Sequence, residues 1–233
     1  MKLALLLLAA GRSSRFGGEV SKVFLPLAGV PVLLRSAERL RRVVPAGAEG
    51  RLVVLVAPAD RAQRLPPLLP ALTALGAEIA DGGDSRQQSM QRGLDVAGPC
   101  DLVLVHDAAR PLFPIDAARR CIERAAAVGA ALLALPATDT LKRAGPDGLV
   151  QGTVDRRPIW CAQTPQVVRR ELLVRALQRA ASENLEATDD VGLVEAIGGR
   201  VALVEGSARN VKITRPDDLA IAEALLGLER DPP

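Results

Sequence analysis

Six short runs along the chain are apolar at most positions: Leu3–Leu8, Leu52–Ala57, Glu78–Ala80, Leu102–Val105, Ala131–Leu135 and Val201–Val204. Between them lie seven stretches with the spacing of amphipathic helices: Pro31–Val43, Pro66–Leu75, Arg86–Val96, Ile115–Val128, Val168–Ala181, Asp189–Ile197 and Pro216–Leu228. A strand that is apolar throughout must be covered on both faces, and strands separated by helices pair in parallel. The pattern predicts an α/β fold: one domain over residues 1–233, built on a mostly parallel, Rossmann-like sheet with helices on both faces. In such sheets ligands gather outside the carboxyl ends of the strands. The residues just after each strand are therefore where chemistry is to be sought.

One stretch breaks the alternation. From Pro136 to Pro165, "PATDTLKRAGPDGLVQGTVDRRPIWCAQTP" has short β-like runs around a Gly-Pro-Asp-Gly turn, which reads as a hairpin with irregular flanks. We expect residues 136–165 to project as an arm. Ile159 and Trp160 on it need burial, and a partner subunit is one place to find it. The terminal "RDPP" is expected to be disordered.

Composition narrows the partners. With 233 residues, 48% of them hydrophobic, the chain can bury one sizeable core. The net charge is only +3, and one Trp, three Phe and no Tyr leave few rings for base stacking, which argues against nucleic acid. Leu3–Ala10 is too short to span a bilayer and runs into glycines and charges instead of a cleavage site, so a cytoplasmic protein without a membrane partner is expected. Cys100, Cys121 and Cys161 lack paired spacing and read as small core residues. The chain has four lysines (Lys2, Lys22, Lys142, Lys212) against 26 arginines. Where a lysine remains, either a compact point charge is needed or chance has left it.

Three segments follow strands and carry chemistry. After the first, "AAGRSSRFGGEVSK" combines Ala9-Ala10-Gly11 and Gly17-Gly18 with Arg15 and Lys22. Exposed amides beside cations suit a polyphosphate, although an ordinary glycine-rich connection has the same composition. Neither G-x-x-x-x-G-K-[ST] nor G-x-G-x-x-G is present. The second, "DGGDSRQQSMQRGL" (81–94), puts Gly82, Gly83 and Asp84 at the mouth of a helix carrying Arg86 and Ser89, with Asp84 placed to cap it. In the third, "LVLVHDAARP" (102–111), Asp107 follows a buried strand, where a carboxylate can hold Mg²⁺ against a triphosphate. His106 is the single histidine. Its side chain should point away from that of Asp107, so it is not expected to act as a base.

These segments carry a resemblance. The opening loop resembles the A-A-G-x-G-x-R-x-G-x-x-x-P-K signature of sugar-phosphate nucleotidyltransferases at Ala9, Ala10, Gly11, Arg15, Gly17 and Lys22, with Ser13 for a glycine and Ser21 for the proline. "GGDSRQQSMQRGL" resembles G-G-x-x-R-x-x-S-V-x-x-G-L of the 2-C-methyl-D-erythritol 4-phosphate cytidylyltransferase family. "DTLKRA", "TVDRRPIWCAQTPQ", "EATDD" and "GSARNVKITRPDDL" are similar to further segments of that family in the same order. Two of the four lysines, Lys22 and Lys212, fall where the family has lysine, and this favours need over chance.

The resemblance implies a nucleotide-diphospho-sugar transferase type of sheet, and CTP bound by Ala9, Ala10, Gly11, Gly83, Asp84, Arg86, Ser89 and Asp107. Gly83, Asp84 and Ser89 would face the base, where donors and acceptors select a pyrimidine edge. It further implies Mg²⁺ at Asp107, and methylerythritol phosphate bound by Asp107, Arg110, Thr140, Arg156, Thr164, Thr188 and Lys212. Arg156 would reach the neighbouring site of a homodimer from the arm, and Lys212 is expected on a terminal strand. The implied reaction is attack of a phosphate oxygen on the α-phosphorus of CTP, with pyrophosphate released. Arg15, Lys22, Arg156 and Lys212 would be its catalytic charges. Ribitol-5-phosphate as acceptor, and a non-catalytic nucleotide-binding regulator, stay open as alternatives.

Overall fold

The structure is a computed structural model that describes residues 1–11 and 21–230. In chain order it contains β1 (Lys2–Ala9), the short pair β2 (Pro26–Leu27) and β3 (Val30–Pro31), α1 (Val32–Arg41), β4 (Glu49–Val56), α2 (Pro58–Gln63), α3 (Leu69–Ala74), β5 (Ala77–Asp81), α4 (Arg86–Ala97) and β6 (Leu102–Asp107). There follow α5 (Ile115–Val128), β7 (Ala130–Pro136), β8 (Leu141–Ala144), β9 (Val150–Val154), β10 (Trp160–Arg169), α6 (Arg170–Glu183), α7 (Asp190–Ala196), β11 (Val201–Glu205) and α8 (Pro216–Arg230).

Seven strands form the main sheet in the order β11-β7-β10-β6-β1-β4-β5. β1 lies at its heart, parallel to both β4 and β6. Its side chains alternate between two cores. Leu3, Leu5 and Leu7 join the layer packed by α1, α3 and α5; Ala4 and Leu6 join the layer packed by α4, α6 and α7. Alternation of side-chain direction in a strand with apolar residues on both sides makes the run Leu3–Leu8 continuously apolar. Fully burying each such leucine contributes about 1.5–3 kcal/mol. A smaller cluster of Leu27, Val32, Leu112, Ile213, Ala222 and Leu226 seats α8.

β10 is the strand that the sequence pattern does not show. It runs antiparallel between β6 and β7, deep in the sheet, yet it contains Pro165. Proline is normally absent from central strands because it offers no N–H to the ladder. Here the register with β7 shifts between Ala162 and Gln166, so Pro165 falls where the ladder is interrupted. The segment 136–165 accordingly divides. Among the described residues β8 and β9 pair only with each other, as a hairpin, while β10, from Trp160, belongs to the main sheet.

Two smaller expectations are also corrected. Cys121 is buried as expected and Cys100 half-buried, but Cys161 is exposed. Lys212 lies in extended chain outside any strand; Ile213 N–H, donating to Ala109 O at 2.8 Å, fixes that chain beside the end of β6. The last three residues of "RDPP" lie outside the described residues.

Candidate active site

A cleft of about 470 Å³ opens at the carboxyl ends of β1, β4, β5 and β6, where a doubly wound sheet holds its ligands. Its size is that of a small-molecule site. Ala9, Ala10, Gly11, Lys22, Gly83, Asp84, Arg86, Ser89, Asp107 and Lys212 all line it, bringing together ten of the residues expected from the sequence. Arg15 lies outside the described residues. Thr164 and Arg110 sit behind Asp107, while Thr140 and Arg156 on the arm and Thr188 before α7 are exposed and do not line the cleft.

The turn between β5 and α4 is tied down on all sides. Gly82 N–H donates to Val56 O at 2.8 Å, and its carbonyl accepts from Arg92 Nη1 at 2.7 Å. A Cβ on Gly82 would lie 2.1 Å from the Cβ of Ala10, and one on Gly83 would lie 2.3 Å from the Cβ of Gln88. Both positions therefore need glycine for close packing. Ser85, not Asp84, caps α4, its hydroxyl accepting from Gln88 N–H at 3.1 Å. Gly83 N–H donates to Ser89 Oγ at 3.0 Å, and that hydroxyl donates to Ser85 O at 3.0 Å. Two of the three groups expected to face a base, Gly83 and Ser89, thus bond to each other and hold the turn.

Charge is concentrated on Asp107. Its Oδ1 accepts from Arg86 Nη1 at 2.6 Å, and its Oδ2 accepts from Lys212 Nζ at 2.7 Å, with Arg110 Nε at 3.8 Å. Burial would raise its pKa, but Arg86 and Lys212 outweigh burial and hold the carboxyl well below the usual range. Arg86 turns its other edge to Asp190: Nε reaches Oδ1 at 2.6 Å and Nη2 reaches Oδ2 at 2.7 Å. Asp190 is fully buried; burial pushes its carboxyl up, against the opposing charge of Arg86. The bidentate fork is the geometry of an ionised pair.

Behind Asp107 the packing is polar and buried. Asp107 N–H donates to Thr164 Oγ1 at 3.1 Å, and Thr164 Oγ1 lies 3.0 Å from Nδ1 of the fully buried His106. His106 Nε2 lies 3.0 Å from Arg110 O. Arg110 Nη1 donates to Asn210 O at 2.7 Å, and Asn210 Nδ2 donates to Thr164 O at 2.8 Å. As expected, His106 points away from the cleft.

On the far side, Gln166 clasps the start of α7. Its Nε2 donates to Asp189 Oδ2 at 2.8 Å, while its Oε1 accepts from the N–H groups of Asp190 and Val191, each at 3.0 Å. Sequence reasoning missed Asp190 and Gln166. Asp190 stands in the "EATDD" segment, but an acidic pair opening a helix has an ordinary explanation as a cap, and Asp189 does cap α7.

Mg²⁺ at Asp107 would join a carboxylate that is already in use. Each of its oxygens accepts from one cation and keeps a further lone pair, so a divalent ion there would share the carboxylate with Arg86 and Lys212. Among the described residues no group of three or more His, Cys, Asp or Glu gathers to hold a metal.

Comparison with known proteins places this geometry. A family model described as IspD, 2-C-methyl-D-erythritol 4-phosphate cytidylyltransferase, matches residues 3–228. The chain is 41% identical over 230 residues to the 2-C-methyl-D-erythritol 4-phosphate cytidylyltransferase of Pelotomaculum thermopropionicum, covering 97% of this chain and 94% of that protein. It is 44% identical to a bifunctional enzyme IspD/IspF of an Anaeromyxobacter species, covering 97% of this chain but 57% of that longer protein. The crystal structure of 2-C-methyl-D-erythritol 4-phosphate cytidylyltransferase from Thermus thermophilus superposes with a TM-score of 0.79 at 37% identity, over 97% of this chain and 98% of that one.

Proposed function

This chain belongs to the 2-C-methyl-D-erythritol 4-phosphate cytidylyltransferase family, and we propose that its cleft performs that family's reaction with Lys22 and Lys212 as the principal catalytic charges. The enzyme joins CTP to 2-C-methyl-D-erythritol 4-phosphate and releases pyrophosphate, a step in isoprenoid biosynthesis. The observation that carries the reading is one cleft, at the carboxyl edge of the sheet, lined by both lysines together with the Ala9–Gly11 and Gly82–Ser85 turns.

The chemistry asks little of acid–base groups. A phosphate monoester has a second pKa near about 6 and is mostly dianionic at neutral pH. Its oxygen attacks the α-phosphorus, the bond to the β-phosphate oxygen breaks, and pyrophosphate leaves with the electron pair. The barrier comes from bringing two anions together, so catalysis lies in positioning and in charge focused on the transition state. Lys212 is held by Asp107 at 2.7 Å and would serve the incoming oxygen and the α-phosphate. Lys22 and Arg15 would serve the α-phosphate and the departing pyrophosphate.

Mg²⁺ belongs to this reading as a counter-ion of the triphosphate, supplying charge neutralisation on phosphate oxygens. The donor set at Asp107 gives no reason to route a step through it. A homodimer with Arg156 serving the partner's site is supported by the arm, whose strands pair only with each other and whose Leu149 and Val150 are 67% and 64% exposed. An isolated two-stranded hairpin is marginal in water, and apolar residues on one gain from a partner. No helix of the described residues is long and apolar enough to cross a membrane; we place the enzyme in the cytoplasm.

The test is pyrophosphate release with CTP and Mg²⁺, using methylerythritol phosphate in one reaction and ribitol-5-phosphate in another. Release with the first acceptor alone is expected. Release with ribitol-5-phosphate alone would move the substrate assignment, and silence with both would overturn enzymatic function.

A further inference from the structure

Resting on that reading, we infer that Asp190, a carboxylate outside the cleft, is a positioning residue that sets Lys212 through Arg86 and Asp107. The four side chains form one line of alternating charge. Asp190 takes two edges of Arg86 at 2.6 and 2.7 Å, Arg86 takes one oxygen of Asp107 at 2.6 Å, and Lys212 takes the other at 2.7 Å. Asp190 has no exposed surface and does not line the cleft, so it acts only through what it touches.

The geometry explains why two carboxylates serve one guanidinium. Arg86 donates through Nε and Nη2 to Asp190, which leaves Nη1 alone for Asp107. An arginine with a single carboxylate partner prefers the two-pronged fork. Without Asp190, Arg86 would turn that fork on Asp107 and compete for Oδ2, the oxygen that holds Lys212. Asp190 thus keeps one oxygen of Asp107 for the lysine. Its own place is fixed by Gln166, whose Oε1 accepts from the N–H of Asp190 at 3.0 Å. Gln166 stands two residues beyond Thr164, and Asp190 two residues beyond Thr188. The line therefore ties the segment expected to bind the acceptor to the lysine expected to serve the attacking oxygen.

The test is Asp190→Asn, which keeps shape and one acceptor while removing the charge. We expect kcat to fall about thirtyfold with KM for CTP within about threefold of wild type, since a group realised only in the transition state lowers kcat. In a Lys212→Ala background the same substitution should cost less than about threefold, because residues acting through one another are not additive. A merely structural role would give the same factor in both backgrounds. Equal factors, or a loss confined to KM for CTP, would overturn the inference. If circular dichroism shows Asp190→Asn unfolded, Arg86→Lys carries the test: an ammonium lacks the planar fork that holds Asp190 while a third N–H holds Asp107, and the same kcat loss and the same non-additivity are expected. Wild-type protein silent with CTP and methylerythritol phosphate would instead defeat the proposed reaction itself.

Discussion

His106 is the one histidine of the chain, and its contacts suit the neutral ring. Arg110 O can only accept, so Nε2, 3.0 Å away, carries the ring proton. Nδ1 is then the acceptor for the Thr164 hydroxyl at 3.0 Å. The ring has no exposed surface and packs against Phe113 with centroids 4.3 Å apart. Burial drives its pKa from 6.5 down to about 3; the neighbouring Asp107 charge opposes this without reversing it.

The consequence is a dependence of stability on pH. The unfolded chain protonates its histidine below about 6.5, whereas the folded chain does not until far lower pH, so the unfolded state binds more protons and stability falls as pH falls. From about pH 7.5 to about pH 5.5 the loss integrates to about 1.4 kcal/mol for a single histidine. Asp107, held below the usual carboxylate range, does not titrate in this window, and Asp190, raised by burial, could only give a slope of opposite sign. Urea denaturation at three pH values measures the loss. His106→Gln should be less stable at the upper pH and should lack the slope. The proton spectrum of folded wild type should show one imidazole signal that does not move across the window. A stability flat with pH, or a slope of equal size in His106→Gln, would refute the reasoning.

Lys22→Ala and Lys212→Ala should each lower kcat/KM for pyrophosphate release about a hundredfold or more, the usual cost of removing one preorganised transition-state charge; near-full turnover in either would remove it from the mechanism. Gly82→Ala places a methyl 2.1 Å from the Cβ of Ala10, so it should narrow the cleft and weaken CTP binding measured by equilibrium dialysis, and unchanged affinity would count against the turn as part of the nucleotide site. Mixing Lys22→Ala with Arg156→Ala chains, each inactive alone, should recover about a quarter of wild-type activity if a two-fold dimer shares its sites. No recovery after exchange of subunits would show that Arg156 serves its own chain or no site at all.

The parallel part of the sheet was legible because burial on both faces writes itself into sequence as unbroken apolar runs. Leu3–Leu8, Leu102–Val105 and their neighbours carry that signal, and the helices between them follow the expected spans closely. β10 was not legible. Its first half, "WCAQTP", mixes apolar and polar residues and ends in a proline that only the register shift makes tolerable, and its second half, Val167-Val168, runs straight into α6. The cleft itself was legible for the reason that open α/β sheets place ligands at strand ends: Ala9–Gly11, Lys22, Gly83–Arg86 and Asp107 all follow strands or close them. What sequence could not show was how those groups use their bonds. Ser89 faces Gly83, and Arg86 faces two carboxylates at once. Asp190 lies 104 positions from Arg86, and no local pattern reports such a pair.

The four charges of this line balance before any substrate arrives: Asp107 and Asp190 offset Arg86 and Lys212. A triphosphate entering the cleft must compete with Asp107 for Lys212, and the competition is between a carboxylate that is already in place and a ligand of higher charge. Such an arrangement keeps a lysine aimed at the reaction centre without leaving it unpaired in a half-buried cleft, where an uncompensated charge would cost stability. It also sets a limit on how far the cleft can be made more positive. Removing either carboxylate would release the side chain that must be still when the phosphate oxygen attacks, so turnover is expected to fall further than CTP affinity at these two positions.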